Sequence, residues 1–181
     1  MSNKTVFYTV GRVLVLEAIL LILPLGVSLI YGDGGYTAFG VSILIALASG
    51  GIISLLCRKR KSSLSIRDGF AVVSLSWISL SLVGALPFVI SGEIPSFVDA
   101  FFETVSGFTT TGASILTDVE AMSKSMLFWR SFTHWVGGMG VLVFLLAIMP
   151  SSGSSHMNIM RAESPGPSVG KLVPKVRQTA K

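Results

Sequence analysis

The sequence predicts an all-α integral membrane fold, and three observations carry that prediction. Apolar residues make up 51% of the 181 positions against 13% charged, with a mean hydropathy of +0.75, a balance too apolar for an ordinary soluble domain. Four apolar stretches approach or exceed the roughly 20 residues a helix needs to cross the hydrocarbon core. Basic residues concentrate between and after these stretches, where they set orientation in a membrane.

The first two stretches predict a pair of N-terminal transmembrane helices within residues 1–57. The first runs over 6–30, with Arg12 placed to snorkel toward headgroups and Glu17 deeper, where a polar packing contact or a pairing with Arg12 is expected. Its length and the lack of a small-x-small cleavage site argue against a removed signal peptide. Pro24 is expected to kink it, and the glycine-rich turn between Tyr31 and Tyr36 returns the chain over 36–57. Gly50 and Gly51 predict close helix packing.

Residues 58–67 carry Arg58, Lys59, Arg60, Lys61 and Arg67. Under the positive-inside rule this loop is cytoplasmic, and the N-terminus with it. The cluster explains most of the net charge of +5 without nucleic acid, since no aromatic residues interleave it. Membrane lipid headgroups are the compatible partner.

Residues 68–150 predict a helix over 69–91, a short helix over 97–108, a hydroxyl-rich segment over 109–114 and a long helix over 125–149 closed by Pro150. Ser96 as N-cap with Asp99 three residues on marks the start of the short helix. At about 1.5 Å per residue its twelve residues reach about 18 Å, too short to span, so it is re-entrant or interfacial. Phe97, Phe101, Val105 and Phe108 are expected to form its apolar face.

A membrane helix, a re-entrant helix, an extended Thr/Gly segment and a second membrane helix form a pore unit of the potassium-channel type, in which backbone carbonyls replace an ion's hydration shell. Small residues let consecutive carbonyls face one axis, and glycine supplies angles costly to residues with a Cβ. The stretch from Thr109 to Ser114 is the expected ion-coordinating wall. Glu93, Asp99, Glu103, Asp118 and Glu120 are expected to give an acidic outer mouth that raises local cation concentration. Arg130 and His134, four apart in the last helix, are candidates to line the vestibule or to brace the re-entrant helix, beside interfacial Trp129 and Trp135. Gly137, Gly138 and Gly140 predict a bend or close packing there.

No enzyme is expected: Cys57 is the single cysteine, and neither His134 nor His156 is spaced to share a catalytic or metal set with it. No cofactor is called for, and potassium is the transported substrate.

The segment 101–114, Phe-Phe-Glu-Thr-Val-Ser-Gly-Phe-Thr-Thr-Thr-Gly-Ala-Ser, resembles the first pore loop of the Trk/Ktr/HKT potassium transporters. Arg130 to Trp135, the glycines at 137, 138 and 140, Arg161-Ala162-Glu163 and Pro165-Gly166-Pro167 extend the resemblance to the TrkH-like branch. It implies potassium uptake across the cell membrane by four pore units in pseudo-fourfold symmetry, with carbonyls near the filter glycine coordinating potassium, which assigns the backbone carbonyls of Thr110, Thr111, Gly112 and Ala113 to the ion path. Glycine rather than serine at 112 fits potassium-conducting members, and the missing Tyr-Gly ending goes with looser exclusion of sodium. A cytoplasmic nucleotide-binding regulatory ring is the implied partner.

The sequence holds one pore unit, followed by a basic segment over 151–181 that is expected to be cytoplasmic. The expectation is therefore the N-terminal part of a longer transporter, with a symmetric homo-oligomer as the other way to complete a filter. A structural or accessory multi-pass subunit is the competing class; it leaves the capped short helix and the Thr/Gly segment unexplained.

Overall fold

The computed structural model describes residues 3–57 and 66–148, with side chains of the last helix described as far as residue 140. The basic run 58–61, Pro150, His156 and the segment 151–181, with its share of the resemblance, lie outside the described residues. Among the described residues seven helices follow in order: α1 Asn3–Leu20, α2 Ile22–Tyr31, α3 Tyr36–Leu56, α4 Ile66–Gly84, α5 Leu86–Ser91, α6 Phe97–Phe108 and α7 Lys124–Ile148. Lys4–Tyr31, Tyr36–Leu56 and Arg67–Ser91 are long and apolar enough to cross a membrane. α7 has 25 residues.

Two prolines divide the first and third spans. Pro24 and Pro87 lack the N–H that would bond four residues back, and their rings crowd the carbonyls of Leu20 and Val83. The helices accordingly break at Leu21 and Ala85, three and two residues before the proline. Gly32 (φ 63°) and Gly92 (φ 80°) then end α2 and α5 in the left-handed conformation.

The helices pack with their small residues inward. On α3 the buried residues are Ala38, Phe39, Ser42, Ala46 and Gly50, whereas Leu44, Leu55 and Leu56 are exposed. Lipid is as apolar as leucine, so close backbone packing, rather than withdrawal of large side chains from water, holds such helices together. α1 crosses α3 where Gly11 meets Gly50: a Cβ on Gly11 would lie 2.8 Å from the Gly50 carbonyl oxygen, and one on Gly50 would lie 2.6 Å from that of Gly11. Gly51 has open space beside it, so the expected packing falls on Gly50 alone, and the partner is Gly11.

Glu17 does not pair with Arg12. Arg12 is exposed and donates to the Tyr8 hydroxyl at 3.4 Å, with its guanidinium 6.0 Å from that ring's centre. Glu17 is 1% exposed, and neither carboxyl oxygen has a hydrogen-bond partner among the described residues. Five residues advance a helix by about 500°, which turns the two side chains about 140° apart. Glu17 points instead to α4, where a Cβ on Gly84 would lie 3.1 Å from its Oε1.

α6 packs between α4 and α7. Phe108 at its C-terminus is held edge-on by Trp77 of α4, at 6.1 Å and 63°, and by Trp129 of α7, at 6.4 Å and 83°. Trp129 is fully buried, and its indole N–H donates to the Gly84 carbonyl at 2.9 Å, which corrects the expectation of an interfacial anchor. Trp135 is half exposed.

The three glycines of α7 do three different things. A Cβ on Gly137 would overlap the Phe108 backbone carbonyl, so Gly137 lets α7 touch the end of α6. Gly140 (φ 70°, ψ 131°) interrupts the helix. Gly138 has only the Thr110 methyl at 4.0 Å from where its Cβ would stand.

Two outcomes follow for thermal unfolding of the detergent-solubilised protein. Glu17→Met should stabilise it by about 1–3 kcal/mol, because an unpartnered buried carboxyl is replaced by an apolar side chain of similar volume; a lower melting temperature would show a partner for Glu17. Gly137→Ala should cost at least about 3 kcal/mol by driving α7 off α6, while Gly138→Ala should stay within about 0.5 kcal/mol of the parent.

Candidate functional site

The site is the segment that leaves α6. Ser96 caps the start of α6, its hydroxyl accepting from the Asp99 N–H at 3.4 Å, as the Ser-x-x-Asp spacing predicts. Of the expected apolar face Phe108 is buried and Phe101 and Val105 are half-buried, but Phe97 is exposed and the most buried stripe is small and polar. Ala100, Glu103, Thr104, Ser106, Gly107 and Phe108 are buried, while Phe97 is 43% exposed and stacks on Phe101 at 6.4 Å. Positions 100, 103, 104 and 107 follow helical spacing as closely as the aromatic set does. The protein turns the small and polar stripe inward because Gly107 admits Thr133 of α7: a Cβ at Gly107 would overlap the Thr133 hydroxyl.

α6 ends in a Schellman arrangement with threonine where glycine is usual. The Thr111 N–H bonds the Ser106 carbonyl and the Thr110 N–H the Gly107 carbonyl, both at 3.0 Å. Thr110 has φ 56°, the single positive φ at a non-glycine residue among those described. A β-branched residue there costs about 1–3 kcal/mol, which surrounding contacts must offset. The Thr109 hydroxyl donates to the Val105 carbonyl at 2.8 Å and shares a 2.7 Å hydrogen bond with that of Thr111. The Thr110 hydroxyl donates to the Thr109 carbonyl at 2.7 Å. Gly112 (φ 75°) follows, so left-handed residues alternate at 110 and 112. Sequence reasoning anticipates the glycine conformation at 112 but not the positive φ at Thr110, which depends on the helix end behind it.

The far end of the segment is fastened from behind by α6. The Ser106 hydroxyl donates to the Ala113 carbonyl at 2.5 Å. The Glu103 carboxylate accepts from the Ser114 hydroxyl at 3.0 and 3.1 Å and from the Ile115 N–H at 3.2 Å. Arg130 of α7 donates to the same carboxylate at 2.6 Å. Glu103 is 1% exposed. Its expected place on an acidic outer surface is therefore wrong: the side chain lies inside the unit as an acceptor for the segment. Asp118 and Glu120 are exposed, and Glu93 accepts from the Ser123 N–H at 3.2 Å. Arg130 meets its expectation as a brace, whereas the His134 Nδ1–H bonds back to the Arg130 carbonyl at 3.0 Å.

Thr110, Thr111, Gly112 and Ala113 all lie on the exposed side of this segment. Among the described residues no hydrogen bond occupies the carbonyls of Thr110, Thr111 or Gly112. The Ala113 carbonyl has one lone pair engaged by Ser106 and one to offer. Among the described residues no group of three or more His, Cys, Asp or Glu is placed to hold a metal ion. Backbone carbonyls are the acceptors the site presents.

Fold and site together define a class: a multi-pass helical membrane protein with two leading helices and a helix, re-entrant helix, extended segment and helix unit. Residues 37–181 match the TrkH family, described as cation transport protein, and the chain belongs to that family. Over its whole length it is 42% identical to the Trk system potassium uptake protein TrkH of Salmonella typhimurium and 41% identical to that of Escherichia coli K12. The E. coli protein TrkG is 32% identical over 98% of the chain. The crystal structure of the potassium transporter TrkH from Vibrio parahaemolyticus superposes with a TM-score of 0.77 at 34% identity, covering 99% of this chain and 36% of that one. The chain spans about 38% of the length of the TrkH relatives it matches.

The buried pair generates a measurable coupling. Glu103→Gln should destabilise the protein by about 3–5 kcal/mol, since it leaves Arg130 without its counter-charge. In a cycle with Arg130→Gln, the double variant should recover at least about 2 kcal/mol relative to the summed single effects in thermal unfolding. Additive single effects would show that the two charges do not act together.

Proposed function

We propose that this chain contributes one carbonyl-lined wall of a potassium-selective filter, with the carbonyls of Thr110, Thr111, Gly112 and Ala113 along the ion path. The observation that carries the reading is the asymmetry of the 109–114 segment. One side is fastened by Ser106, Glu103 and Arg130, and the other presents carbonyls that no group among the described residues engages. Such a wall substitutes for an ion's hydration shell only if it holds its shape as the ion passes, and the bonds behind it supply that rigidity. The potassium uptake named for the relatives agrees with the chemistry of the segment.

One wall does not surround an ion. In this reading four such units complete the pore, contributed by the same transporter or by further copies of the chain. The regions read as they did in sequence: residues 1–57 as two leading helices, 58–67 as a cytoplasmic loop, 68–150 as the pore unit and 151–181 as a cytoplasmic connection. This places the N-terminus in the cytoplasm and the start of α6 on the outer side of the cell membrane. A cytoplasmic nucleotide-binding ring is the regulatory partner that the family resemblance supports.

The test uses the full-length transporter in cells that lack potassium uptake. The parent should restore growth at low potassium. Gly112→Ser, which meets no steric obstacle but must adopt φ near +75°, should lower the ratio of potassium to sodium uptake by about tenfold, as the loss of about 1.4 kcal/mol of discrimination gives. Unchanged uptake of both ions would remove Gly112 from the path.

A further inference from the structure

Helix α7 is not capped by its own sequence. Ser123 precedes its first residue and is of a type that caps helices well, yet the Ser123 hydroxyl has no hydrogen-bond partner among the described residues. No acidic residue lies in the first turn of α7. The cap comes from the turn between α2 and α3, 92 positions earlier: Asp33 Oδ2 accepts from the Ser125 N–H at 2.8 Å. Its other oxygen accepts from the Ser28 hydroxyl at 2.6 Å and the Gly35 N–H at 3.1 Å. Partial burial opposes the charge on Asp33, but hydrogen bonds from Ser28, Ser125 and Gly35 outweigh it and hold the carboxyl below its ordinary range. The fit is close, since a Cβ on Gly35 would lie 2.6 Å from the Ser125 hydroxyl. A carboxylate at a helix N-terminus also meets the positive end of the helix dipole.

What Asp33 fixes is the axial position of α7, and α7 carries the groups that shape the filter segment. Five residues after Ser125, Arg130 holds Glu103 and through it Ser114 and Ile115. One and two turns further, Thr133 and Gly137 abut Gly107 and Phe108. A shift of α7 along its axis therefore moves both ends of the wall. Resting on the reading of this segment as a filter wall, we propose that Asp33 is a positioning residue for ion selection, by which the first helical hairpin sets the register of α7 against the pore helix. The two leading helices are thus part of the selective machinery and more than a membrane anchor.

The experiment measures the ratio of potassium to sodium uptake by the full-length transporter in uptake-deficient cells, normalised to the protein present in the membrane. Asp33→Asn is nearly isosteric but sets an amide N–H₂ or a single oxygen where two acceptors are needed. It should lower the ratio by about 3- to 10-fold. Arg12→Gln removes an exposed charge on α1 without touching α7 and should keep the parent ratio. If Asp33→Asn fails to reach the membrane, Ser125→Pro carries the test. It deletes the N–H that Asp33 holds, in a first turn that tolerates proline, and should lower the ratio similarly. An unchanged ratio in the variant that reaches the membrane, or an equal fall with Arg12→Gln, overturns the proposal. A parent that moves no potassium overturns the filter reading instead, so the two failures are distinct.

Discussion

The buried contact between Glu103 and Arg130 is the constraint on which the pore unit depends. Its N–O distance of 2.6 Å joins the re-entrant helix to the last helix, and the same carboxylate receives the Ser114 hydroxyl and the Ile115 N–H. Two charges withdrawn from water are costly unless nearly every lone pair and proton is used. Here three groups converge on one carboxylate, and the arrangement orients a short segment of chain that has no regular structure of its own. Remove that anchor, and the 109–114 segment is left with the helix end at Thr110 and the Ser106 bond alone.

Around this anchor the packing follows the logic of a membrane interior. Large aliphatic side chains face outward on α3, and glycines face inward wherever backbones meet: Gly11 with Gly50, Gly107 with Thr133, Gly137 with Phe108. Polar groups inside are used, and each that is partnered holds something specific. Trp129 fixes the break at Gly84, Ser106 fixes Ala113, and Asp33 fixes the start of α7. Glu17 is not among these, nor are the Ser76 and Ser123 hydroxyls. The Glu17 carboxyl is buried and unpartnered among the described residues, against a glycine of α4.

Backbone strain is placed where the carbonyls are. Thr110 and Gly112 both take positive φ within three residues, and the helix end, the threonine hydroxyls and Ser106 hold them there. A relaxed segment would let its carbonyls rotate to seek partners. Three of them, those of Thr110, Thr111 and Gly112, are unengaged among the described residues.

The sequence by itself determined the span of α6, its Ser96 cap, the break near Pro24 and the glycine turn after it, which follow from local periodicity, local sterics and the thickness of a bilayer, all of which act within a few residues. The break before Pro87 falls inside a stretch that reads as one helix over 69–91. The sequence also singled out the Thr/Gly segment, because its composition is unusual inside an apolar chain. What only the tertiary structure decided is which polar and small residues face one another. Glu103 reads as an outer acid and Trp129 as an interfacial anchor until partners 27 and 45 positions away bury them. Three glycines in α7 look alike until α6 abuts one of them and another breaks the helix. Asp33 reads as a turn residue until the fold brings it to a helix 92 positions away. Local rules fix conformation along the chain, but a hydrogen bond or a steric contact depends on distance in space, and that is set when the helices pack.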